Sequence, residues 1–129
     1  MILDTSAVMA ILLREPEAAT FATLVSEAQG VGIAGPTLAE TGIVLGGRLG
    51  FTSALLHRFL QEAQVSVIPF GEPHWHTAVT AYNHYGKGRH AAGLNFGDCF
   101  SYATAKLTQQ PLLCKGNDFT QTDLELVMY

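Results

Sequence analysis

Apolar and polar positions fall into two kinds of stretch along this chain. Short runs of aliphatic residues occupy 1–4 (MILD), 31–34 (VGIA), 65–68 (VSVI) and 112–114 (LLC); each is brief and bounded by turn-forming residues, which predicts a buried strand. A fifth strand is expected at 126–127. Between them lie longer segments with helical spacing at 6–13, 17–28, 37–49, 53–63, 73–85 and 96–108. Pro36 suits a first helical turn, Thr52 or Ser53 can cap the fourth helix, and Asn95 can cap the last. Short strands alternating with helices predict an α/β fold with a mainly parallel sheet. The stretch 86–97 (GKGRHAAGLNFG), with four glycines, reads as a loop between two helices.

Composition narrows the class. A chain of 129 residues, 48% hydrophobic, has the size of one domain, here 1–129, and can bury roughly two-thirds of its unfolded surface without disulfide or metal support. The uninterrupted apolar run 7–13 falls far short of the roughly twenty residues that span a bilayer. The opening MILD carries no basic segment, so neither a membrane span nor a signal peptide is expected and the predicted location is cytoplasmic. Cys99 and Cys114 lack CxxC spacing and read as core thiols. The net charge of −4 argues against a nonspecific polyanion binder. Any nucleic-acid reading must answer that objection.

Of the 11 acidic residues, four stand where an apolar residue is expected. Asp4 closes the first strand, and carboxyl ends of strands line the ligand crevice of open α/β sheets. Its competing role is a helix cap, although Thr5 and Ser6 look equally able to cap. Glu40 is the only acid on an apolar helix, where its alternative is an ion pair with Arg48. Asp98 enters the first turn of the last helix, a position the helix dipole also favours, and Gly97 beside it permits close approach. Asp118 follows the strand at 112–114 in a segment that is also good turn chemistry. Converging, these carboxylates would repel one another unless a cation were present or some were protonated. Oxygen ligands suit Mg²⁺ or Mn²⁺. Such an ion turns an acidic pocket into a phosphate site, which answers the charge objection.

The start MILDTSA, the segment PTLAET, the stretch YGKGRHAAGLNFGDCFSYATAK and the ending PLLCKGNDFTQTDL resemble the PIN-domain ribonuclease toxins of the VapC type over essentially the full chain. The resemblance implies a PIN-like three-layer sandwich, with a central sheet of four to five mainly parallel strands flanked by helices. It also implies a Mg²⁺- or Mn²⁺-dependent endoribonuclease, the toxin of a toxin–antitoxin pair, dimeric and held inactive by a VapB-like antitoxin. Carried over by residue, the acids are Asp4, Glu40 and Asp98, with Asp118 as the fourth and Asn117 its competitor. Thr5 and Ser6 would support a ligand carboxylate or a water. Asp4 and Asp98 would hold the metal directly, while Glu40 and Asp118 would act through water or orient the attacking water, leaving 5′-phosphate and 3′-hydroxyl ends without a covalent intermediate. Lys87, Arg89, His90 and Lys115 flank the acidic segments and are candidates to grip RNA phosphates.

Two other functions fit part of the pattern. A haloacid-dehalogenase-like phosphatase also carries an Asp at the end of its first strand, but needs a second Asp two residues later, where this chain has Ser6. An inactive PIN-like interaction module would use Phe51, Phe59 and Trp75 as a partner face, and its acids to attract an arginine-bearing tail. Zinc binding by His74 and His76 is disfavoured, because residues two apart point to different faces of a helix.

Overall fold

The computed structural model describes residues 1–50 and 53–129. Phe51 and Thr52, offered above as a partner residue and a cap, lie outside them. Strand β1 (Ile2–Leu3) runs into α1 (Thr5–Leu12) and α2 (Ala18–Glu27). Strand β2 (Val31–Ala34) then leads to α3 (Gly35–Leu49) and α4 (Ser53–Glu62). Strand β3 (Val65–Ile68) precedes α5 (Glu72–Tyr85) and α6 (Phe96–Thr108), and β4 (Leu112–Leu113) follows.

The four strands are all parallel, in the order β3-β2-β1-β4, with Ile2 opposite both Gly32 and Leu112. Successive side chains of a strand point to opposite faces, and here each face has its own core. Leu3, Ile33 and Leu113 pack with Val8, Phe21 and Leu45 of α1, α2 and α3. Ile2 and Leu112 pack with Ala78 and Ala81 of α5 and with Cys99, Tyr102 and Ala103 of α6. A sheet buried on both sides between helical layers is the three-layer sandwich expected from the sequence.

The expected fifth strand reduces to a single bridge between Leu126 and Leu112. Beyond it the chain leaves the sheet, and Tyr129 sets its ring edge-on against Phe21 of α2, with centroids 4.6 Å apart. Pro36 sits in the first turn of α3 and Asn95 caps α6, as the sequence indicates. The loop between α5 and α6 is closed at its base by a bridge between Gly86 and Leu94.

Connectivity fixes where a ligand can sit. From β1 the chain builds outward through β2 to β3, then returns to add β4 on the other side of β1. The crevice of an open parallel sheet opens at such a reversal, outside the carboxyl ends of the two strands. Asp4 leaves β1 there, and the segment 115–118 leaves β4 beside it.

Candidate active site

Asp4 is buried, 6% exposed, and its backbone N–H donates to Leu113 O at 3.0 Å, tying it to β4. It is the N-cap of α1, so the expectation that Thr5 or Ser6 would serve instead is corrected. Both lie inside the helix, whereas Asp4 keeps the extended backbone (φ −87°, ψ 159°) from which a side chain reaches back over the first turn. Its Oδ2 accepts from Ser6 N at 3.0 Å and from Ser6 Oγ at 2.6 Å. Its Oδ1 accepts from Ser101 Oγ at 2.6 Å. A carboxylate offers about four acceptor positions, so one on Oδ1 is left over.

Glu40 on α3 accepts the hydroxyl of Thr5 on Oε1 at 2.5 Å. Thr41 Oγ1 lies 3.3 Å from that hydroxyl and donates to Thr37 O at 2.8 Å. Among the described residues Glu40 makes no ion pair with Arg48, the alternative its sequence context allowed. The carboxylate leans instead over Gly97, where a Cβ would collide with Oε2. The missing side chain at 97 is the space that Glu40 occupies.

Asp98 and Asn95 form a reciprocal cap at the start of α6: Asp98 Oδ2 accepts from Asn95 N at 2.9 Å, and Asn95 Oδ1 accepts from Asp98 N at 2.8 Å. Burial pushes the Asp98 carboxyl up to about 6, against the Asn95 hydrogen bond that pulls it down; the charges of Asp4, Asp118 and Glu40 push it further up. The charges of acids from three other stretches of sequence therefore reach Asp98.

Asp118 is exposed on the turn after β4. That turn is closed by Thr120, whose N–H and hydroxyl both donate to Asn117 O, at 3.1 and 2.8 Å. Gly116 supplies the positive φ of 94° the turn requires, and Phe119 anchors it in the core beside α6. Lys115 N donates to Ser6 Oγ at 2.9 Å, joining the turn to the cap of α1. The Lys115 ammonium, expected to grip phosphate, is instead paired with Glu15 at 2.7 Å and Glu17 at 3.1 Å. Those two glutamates tie the turn to the segment between α1 and α2.

Among the described residues, no three His, Cys, Asp or Glu side chains are drawn close enough together to coordinate a metal ion as they stand. Asp4, Glu40 and Asp98 each lend an oxygen to a nearby hydroxyl or N–H. Even so, the donors fit a hard divalent cation. All are oxygens, their charges are crowded, and Glu40 Oε2 projects into the recess that Gly97 leaves open.

The other candidates lie on α5, on the segment between α5 and α6, and in the core. Lys87 lines a groove between α5 and α6 with Asn95 and Phe96. Arg89 lies over the Tyr82 ring at 5.8 Å. His90 stacks with His84 at 5.8 Å between centroids and accepts from Ala92 N on Nδ1. His74 Nδ1 accepts from Gly71 N in the first turn of α5, a capping contact. Cys99 and Cys114 are unpaired and buried, and burial holds their thiols up at about 11 and about 12, unreactive core groups as expected.

Sequence reasoning missed the buried hydroxyls behind the acids, Ser101 above all, with Thr37 and Thr41. One signal was available: Ser101 is three residues after Asp98, so a helix starting at Asn95 places both on one side.

A PIN-domain family model matches residues 1–125 of the chain. The ribonuclease VapC36 of Mycobacterium tuberculosis is 47% identical over 127 residues, covering 97% of this chain and 91% of that protein. The ribonuclease VapC of Mycolicibacterium smegmatis is 42% identical over 128 residues, covering 98% of this chain and 99% of the other. Among solved structures, Mycobacterium tuberculosis VapC20, a sarcin–ricin-loop-cleaving toxin, superposes with a TM-score of 0.79 at 19% identity, covering 99% of this chain and 98% of its own. A toxin–antitoxin complex from Klebsiella pneumoniae gives a TM-score of 0.73 at 17% identity, covering 99% and 97%. At these identities the two superpositions speak for the fold.

Proposed function

The chain belongs to the PIN-domain family, and from that membership we propose that it is a metal-dependent endoribonuclease, the toxin of a toxin–antitoxin pair. Its ribonuclease relatives, 42–47% identical over nearly the full chain, support the activity. The observation that carries the reading is geometric: Asp4 at the end of β1 is held by Ser101 of α6, and Glu40 of α3 lies against Gly97, next to Asp98, so three acids distant in sequence are brought to the start of α6.

Asp4, Glu40, Asp98 and Asp118 would hold Mg²⁺ or Mn²⁺, with Asn117 the alternative to Asp118. The ion, when bound, supplies a Lewis acid that acidifies water and offsets charge on the scissile phosphate. Asp4 and Asp98 are the anchoring ligands, since both are partly or fully withdrawn from water and fixed by hydrogen bonds. Glu40, aimed over Gly97 and steadied by Thr5, and the exposed Asp118 orient water for in-line attack and take up its proton. Lys87, Arg89 and His90, on the segment that leads into α6 and Asp98, would grip flanking phosphates, so the chain needs no overall basic charge to bind RNA. Lys115 contributes through the turn it holds.

Incubation of the protein with a 5′-labelled single-stranded RNA tests the metal requirement. Cleavage is expected to fall on the order of 10³-fold in EDTA, return with Mg²⁺ or Mn²⁺, and leave 5′-phosphate ends. Cleavage undiminished by chelator sinks the reading.

A second copy and an antitoxin are the proposed protein partners. Trp75, Val79 and Tyr82 recur on one side of α5 and remain exposed, as does Phe96 at 77%, an apolar face suited to association. Phe59, by contrast, packs against the core under α4. Trp75→Glu with Val79→Glu should move the species in light scattering from twice 13.8 kDa to 13.8 kDa. An unshifted dimer would put the interface elsewhere. The cluster of carboxylates is also chemically matched to an arginine side chain presented by an antitoxin.

A further inference from the structure

We propose that Ser101 is a positioning residue for Asp4, its hydroxyl fixing from the buried side of α6 the carboxylate whose one free acceptor position would hold a divalent cation. The inference rests on the metal-dependent reading above and adds to it a residue outside the set of acids. Ser101 is fully buried, and its Oγ lies 2.6 Å from Asp4 Oδ1 although 97 positions separate the two in sequence.

A buried hydroxyl on a helix has an easier partner, the carbonyl one turn back. Two other hydroxyls on α6 take it: Thr104 Oγ1 donates to Phe100 O at 2.9 Å, and Thr108 Oγ1 to Thr104 O at 2.7 Å. Ser101 gives its single proton to Asp4 instead. Thr37 Oγ1, 3.5 Å behind it at the limit of hydrogen-bond reach, is placed to supply a proton in turn, which would polarise the chain Thr37–Ser101–Asp4 in one direction.

The acceptor count gives this bond its consequence. Ser6 fills both positions on Asp4 Oδ2 with its N–H and hydroxyl, and Ser101 fills one on Oδ1. Donors at both oxygens stop the carboxylate from turning, and they leave one acceptor position, on Oδ1. Asp4 is thereby prepared as a ligand through one oxygen. Without the Ser101 hydroxyl the group is held from one side only, and the entropy of fixing it must be met when the cation binds.

The test compares Ser101→Ala and Ser101→Cys with wild type in Mn²⁺ titrations of the RNA-free protein, free Mn²⁺ being read by electron paramagnetic resonance. Cysteine nearly preserves the packing but is a poor donor, so it separates filling space from donating a proton. Both variants are expected to bind Mn²⁺ about tenfold or more weakly, with circular dichroism in EDTA like that of wild type. At saturating Mn²⁺ their RNA cleavage recovers toward wild type. A Ser101→Cys protein that binds Mn²⁺ as tightly as wild type overturns the proposal. A wild type that binds no Mn²⁺ overturns the metal-dependent reading itself.

Discussion

Asp98→Asn should lower RNA cleavage on the order of 10³-fold while leaving the metal-free fold as stable as wild type or firmer. Its gain is about 1 kcal/mol, roughly 3 °C in Tm. The opposite signs follow from one fact. Asp98 is partly buried and faces the charges of Asp4, Asp118 and Glu40, so its ionised form is disfavoured in the folded chain. The amide removes that charge, and its oxygen still accepts from Asn95 N, so the cap of α6 survives. Partial exposure screens the repulsion, which keeps the gain small.

Asp4→Asn should lose activity to a similar degree but behave differently in the melt. An asparagine amide keeps its oxygen on Ser6 N–H and turns its nitrogen to Ser101 Oγ, whose hydroxyl must change from donor to acceptor. Exchanging hydrogen bonds to a buried carboxylate for neutral ones costs about 1–3 kcal/mol. Calorimetry in EDTA beside a cleavage assay in Mn²⁺ reads both quantities. Cleavage by Asp98→Asn within tenfold of wild type would remove that acid from the centre. A melting point well below wild type would show that the four acids do not crowd.

The contrast also marks what the sequence could tell and where it stopped. Strand positions were legible because buried parallel strands are brief apolar runs, and 31–34 and 65–68 form strands at those bounds. Residues 126–127 carry the same apolar signal, yet only Leu126 pairs. Whether a run becomes a strand depends on what the chain does next, and here Tyr129 is drawn to Phe21. The acids stood out because charge on an apolar background is costly. Their supports did not. Serine and threonine carry no net charge and sit anywhere in a helix, so only its spacing of three from Asp98 distinguishes Ser101, which reaches Asp4, from Thr104, which reaches its own backbone. The pairing of Lys115 was hidden for a related reason: its partners Glu15 and Glu17 lie 100 and 98 positions away, and only the adjacency of β1 and β4 brings them together.

Gly97 offers the sharpest test of how closely the centre is built. Its Cβ position is filled by the Glu40 carboxylate, so Gly97→Ala cannot leave Glu40 where it is. What must move is the end of a flexible side chain, not backbone, and alanine is favoured over glycine within a helix by about 0.5–1 kcal/mol. The fold should therefore tolerate the methyl group, with a Tm within a few degrees of wild type. Function should not. Swinging Glu40 away from Gly97 and off the Thr5 hydroxyl misplaces it by more than the roughly 1 Å that can cost about 10²-fold in rate. Cleavage is accordingly expected to fall about 10²-fold. Because the methyl group acts only through Glu40, adding Gly97→Ala to Glu40→Gln should slow cleavage far less than it does alone, and this non-additivity separates a displaced carboxylate from general damage to α6. If the two losses simply multiply, Gly97 acts by another route and Glu40 is not seated over it in the working enzyme.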